Sequence, residues 1–94
     1  MFIAILYHKK ERLSMNKGDF EIQALVAGAT QKEMLDFECV CKQAAGMSLE
    51  SPMVNEEYLK TQGMSTAVAC RALLVPKLSQ EGIERIVSVF ESFC

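Results

Sequence analysis

The sequence contains one histidine, His8, no tryptophan, and no two cysteines in Cys-x-x-Cys spacing. Each shortage removes a class of chemistry. With a single imidazole, a Ser-His or Cys-His nucleophile pair would have to be built on the N-terminal segment, the part of the chain that the sequence leaves least fixed. The four cysteines, Cys39, Cys41, Cys70 and Cys94, lack the paired spacing of a zinc site. Cys39 and Cys41, two apart on a helix, point about 200° from one another and do not share a metal easily. Glycines are scattered at expected helix ends, and none forms a Gly-rich phosphate loop followed by Lys-Ser or Lys-Thr. No apolar run approaches the ~20 residues of a membrane helix. Phe2 to Tyr7 is apolar but short, and its positive charges follow it instead of preceding it, unlike a secretory signal. The expectation is a cytoplasmic protein with reduced thiols, no catalytic residues, no metal and no cofactor.

Positive charge is also scarce outside the first residues. The net charge is −2, yet Lys9, Lys10, Arg12 and Lys17 against Glu11 make residues 1–18 basic, so the remainder is acidic at −5. An acidic body gives little attraction for a phosphate backbone. The acids themselves lack a catalytic pattern: Glu33, Asp36 and Glu38 are expected on the wet face of a helix, where paired acid and base work finds no cleft.

What the chain has in quantity is apolar surface. Half of its 94 residues are hydrophobic, and a single domain of that size buries only about two-thirds of the surface its unfolded chain exposes. More apolar area is present than one small core hides easily, which favours self-association or a protein partner. The densest stretch is Ala67 to Val75, apolar apart from Arg71 and closed by Pro76. Ala, Leu and Cys outnumber β-branched residues there, and Ser65 or Thr66 is available as a cap, so the stretch reads as a buried central helix over about 65–75.

The other segments read as its cover. Met1 to Ser14 is an apolar piece followed by a charged one, open to either strand or helix, and Met15 offers a second possible start, which would make residues 1–14 an appendage or an oligomer contact. Gly18-Asp19 can cap a segment Phe20 to Ala27 ended by Gly28; strand-like alternation competes there, with helix preferred because Leu25 breaks it. Thr30 with Glu33 is a capping box ahead of an amphipathic helix from Gln31 to about Ala45, closed by Gly46. Pro52 marks a turn in the loop from Met47 to Asn55. Asn55 caps Glu56 to Gln62, and Gly63 is expected to end that helix and turn the chain sharply into the central one. Ser79 caps a last helix with Ile83, Ile86, Val87, Phe90 and Phe93 at helical spacing. The resulting fold class is mainly α: a compact, single-domain bundle of four to five short helices over residues 1–94, with room for a small N-terminal strand or hairpin.

Two readings of function follow. The first is a small helical protein-interaction module, such as an inhibitor, adaptor, chaperone or accessory factor of a bacterium or phage, that binds a partner protein or its own copy. Its candidate contact residues are Arg71, Ile83, Val87, Phe90 and Phe93. A guanidinium in an apolar run must reach water, a carboxylate or a partner, so truncating Arg71 is expected to weaken assembly more than truncating Arg85. Lys and Arg side chains could also hold a small anion between subunits, though no residue pattern identifies one. The alternative is a helix-turn-helix DNA-binding regulator: Glu56 to Leu74 loosely resembles one, with Gln62-Gly63-Met64-Ser65 at the turn and Thr66 and Arg71 as readers.

Overall fold

The computed structural model describes residues 17–51 and 53–94. The N-terminal strand or hairpin, the contact expected at residues 1–14 and the turn at Pro52 lie outside the described residues. Those residues form four helices: α1 (Lys17–Val26), α2 (Gln31–Ala45), α3 (Glu56–Leu74) and α4 (Gln80–Glu91).

Local capping sets most of the boundaries. Gly28, with φ of 89°, ends α1 in the left-handed region that L side chains avoid, and the Ala29 amide donates back to the Ala24 carbonyl at 2.9 Å. The α2 capping box forms as the sequence implies: the Glu33 amide donates to Thr30 Oγ1 and the Thr30 amide donates to Glu33 Oε1, each at 3.1 Å. Gly46, also left-handed, closes α2 with its amide on the Lys42 carbonyl at 2.8 Å. Asn55 caps α3 through the Tyr58 amide, and Ser79 caps α4 through the Gly82 amide.

The expected break at Gly63 is absent. α3 runs unbroken from Glu56 to Leu74, so the separate helix over 65–75 and the turn of a helix-turn-helix do not exist. A mid-helix glycine costs only about 1 kcal/mol relative to alanine, whereas two new helix ends would each leave four backbone groups to be satisfied elsewhere. Gly63 is instead a point of close approach: it is buried, and a Cβ there would collide with Cys94 Sγ and lie 3.2 Å from Cys94 Cβ.

The stretch expected to be sheathed on all sides is also not so. Ala67, Cys70 and Leu74 are in the core, but Val68 is 64% and Val75 65% exposed. Small apolar residues in every direction state that a helix can be buried, not that it is. The element the bundle is built around is α4, whose inward stripe includes Ile83, Ile86, Val87 and Phe90 and which packs against each of the other three helices. Phe20, Phe37 and Phe90, one each from α1, α2 and α4, join them through ring contacts, the first pair stacked at 5.0 Å and the second tilted at 5.4 Å between centroids, within the separation at which aromatic pairs attract.

Candidate protein-interaction face

Of the residues expected to meet a partner, Ile83, Val87 and Phe90 point into the core of their own chain, and Phe93 lies partly buried against it. The stripe on the last helix is therefore consumed in folding. Periodicity identifies an apolar face but does not say what covers it. The apolar residues left in water are on other elements; they include Ile22, Leu25 and Val26 on α1 and, over a longer stretch, Met64, Val68 and Val75 along α3 and its C-cap.

With 3.6 residues per turn, the core side of α3 carries Leu59, Gly63, Thr66, Ala67, Cys70 and Leu74, all buried. On the opposite side Thr61, Met64, Val68, Ala72 and Val75 fall within an arc of about 80°, and every one is exposed. Met64 keeps 55% of its surface, close to the values at Val68 and Val75. The solvent face of a helix in a lone globule normally carries charge; from Thr61 to Val75 this helix has one charged residue, Arg71.

Arg71 leaves the face. Its guanidinium turns towards α4, donating to both carboxylate oxygens of Glu84 at 2.9 and 3.1 Å and to Glu91 Oε2 at 3.1 Å. Of the three fates open to this side chain, water, a carboxylate or a partner, the carboxylate is the one found, at Glu84 and Glu91 together. Two acids two turns apart on α4 hold the charge beside the ridge formed by Met64, Val68 and Val75 instead of on top of it.

Beside that ridge lies a groove of about 370 Å³ between α3, the end of α2 and the loop that follows. Tyr58, Gln62, Ser65 and Ala69 form its α3 wall; Ala44, Ala45, Met47 and Met53 form the other, and no lining residue is charged. The Tyr58 hydroxyl and Thr66 Oγ1, 2.6 Å apart, satisfy one another and fix the ring two turns below. Met53, 67% exposed, stands at the rim. Ridge and groove together make one uncharged surface, partly apolar and partly amide and hydroxyl.

No known protein family, curated protein or solved structure matches this chain. The face must be read from its own chemistry.

The titratable groups elsewhere explain stability more readily than chemistry. Glu33 is not on a wet face: its side chain is 10% exposed, and Arg85 donates to Oε1 from Nε at 3.2 Å and to Oε2 from Nη2 at 3.0 Å. That bidentate bond, helped by the Thr30 amide, holds the carboxyl below its ordinary pKa. Gly82 makes the room, since a Cβ there would stand 2.8 Å from Glu33 Oε2. Glu38 is also drawn inward, to 17% exposure, and its Oε2 is buried without a donor. Burial, with the neighbouring Glu21 carboxyl next in weight, raises its pKa, and Lys17 at 3.7 Å offsets only part of this. Cys41 and Cys70 face each other across α2 and α3 as buried free thiols, where the hydrogen bond to Cys41 and burial together push Cys70 upward. Among the described residues no cluster of three or more His, Cys, Asp or Glu could hold a metal, and no helix is long and apolar enough to cross a membrane.

Proposed function

We propose that the chain is a small helical protein-interaction module that works by apolar docking through the outer face of α3, in the manner of an adaptor, inhibitor, chaperone or accessory factor. The observation that carries this reading is a helix face about four turns long, exposed at Met64, Val68 and Val75, from which the only charge has been drawn aside onto Glu84 and Glu91. Exposed apolar patches of this continuity mark interaction surfaces in soluble proteins. A DNA-binding regulator is the weaker reading, because α3 lacks the turn and a recognition helix needs groove-facing polar side chains. Light scattering across a concentration series, followed by a salt series against bulk DNA, tests it. Association with no salt-dependent DNA binding is expected; a chain that stays monomeric at high concentration and binds DNA steeply in salt overturns the reading.

A further inference from the structure

Resting on that reading, we infer that the occupant of the α3 face is a second copy of this chain, related by a two-fold axis that seats the ridge at Val68 of each copy in the groove beside Ala69 of the other. Three observations lead there. The ridge and the groove are neighbours on one surface, so a two-fold axis between them places convex on concave twice at once, the self-complementarity that a closed symmetric dimer requires. Neither part carries a charge, so two identical faces meet without like-charge repulsion and without stripping an ion of its water. The lining of the groove is the third. The groove of about 370 Å³ is walled by alanines, Ala44, Ala45 and Ala69, whose short side chains leave depth for branched and unbranched ones of the Val68 and Met64 kind. The polar atoms in the groove are amide and hydroxyl groups of Gln62 and Ser65, which can bond across an interface or to trapped water.

A heterologous partner would need some means of being told apart from other apolar surfaces. Specificity of that kind comes from charges placed to attract one partner and repel others, and this face has none. Of the charged residues near it, Lys60 with Glu56 and Arg71 with Glu84 and Glu91 are paired within the chain, and Glu57, exposed one turn before Thr61, marks where the uncharged face ends. The face is small beside a standard interface of roughly 20–30 residues a side, so the dimer forms in rapid exchange.

The experiment uses the full chain and measures molar mass by light scattering over a concentration series. Val68→Asp places a carboxylate on the ridge and Ala69→Lys places an ammonium in the groove; Val26→Asp, on the exposed outer side of α1, is the control, and circular dichroism verifies that each variant is folded. Wild type and Val26→Asp are expected to approach twice the monomer mass as concentration rises. Val68→Asp and Ala69→Lys are each expected to stay monomeric alone, and an equimolar mixture of the two is expected to recover the dimer, since the acid of one then meets the base of the other. A wild type that stays monomeric across the series overturns this inference; the reading beneath it falls only if that monomeric chain also binds DNA steeply in salt. A dimeric wild type that Val68→Asp leaves intact, or a mixture that stays monomeric, overturns the ridge-in-groove dimer alone.

Discussion

Glu33 and Glu38 share α2, and their environments move them in opposite directions. Glu33 is held ionised by Arg85 and the Thr30 amide, so its folded pKa lies below the unfolded value. The stability it contributes is present above the ordinary carboxylate range, near 4.3, and is lost as pH falls through the folded pKa. Glu38 is raised by burial and by Glu21. Its contribution is favourable only at low pH, where it is protonated, and becomes a cost as pH rises through the folded pKa. Glu33→Gln is therefore expected to destabilise the protein at pH 7 and to converge on wild type in acid, while Glu38→Gln stabilises at pH 7 with a gain that also fades in acid. Urea unfolding at pH 7 and at pH 3.5 reads both signs. Of these two residues the sequence discloses only half of one: the Thr30-x-x-Glu33 spacing announces a cap, but the reach of Arg85 across from α4 and the space that Gly82 leaves are tertiary facts.

At the scale of the helix, the two apolar stripes differ in burial although their spacings look alike: that of α4 is in the core and that of α3 is open to water. Phe90 is fully buried and in ring contact with Phe37, so Phe90→Ala is expected to cost about 3–5 kcal/mol, a large part of a small domain's stability. Val68→Asp, at a site open to water, is expected to change monomer stability by no more than about 0.5 kcal/mol. Removing the α2 cap with Thr30→Ala is expected to cost about 1 kcal/mol. Chemical denaturation of the three variants at a concentration below association checks all of these. Three helix starts were legible in the sequence because a cap is a local event: Thr30, Asn55 and Ser79 each act within their own next turn, whereas the cap expected at Gly18-Asp19 is absent, those residues lying inside the first turn of α1. The continuity of α3 was not legible, because Gly63 signals an end to any reader who cannot see Cys94 packed against it. Nor was the burial of Ile83 and Val87 distinguishable from exposure to a partner, since both fates demand the same spacing.

For the molecule as a whole, folding spends the aromatic residues of α1, α2 and α4 on one core and leaves the outer face of α3 uncharged. The chain's high apolar content is thus divided between a core made within one copy and an exposed face on α3, the face proposed above to meet a second copy. The proposed association belongs to this scale and is expected to respond to dilution as one event. The most direct measurement is a dilution series of backbone amide chemical shifts. The account predicts concentration-dependent shifts confined to residues 61–75 of α3 and to residues 44–53 across the groove, with the buried stripe of α4 unchanged. Shifts confined to α1, or a spectrum indifferent to concentration, would contradict it.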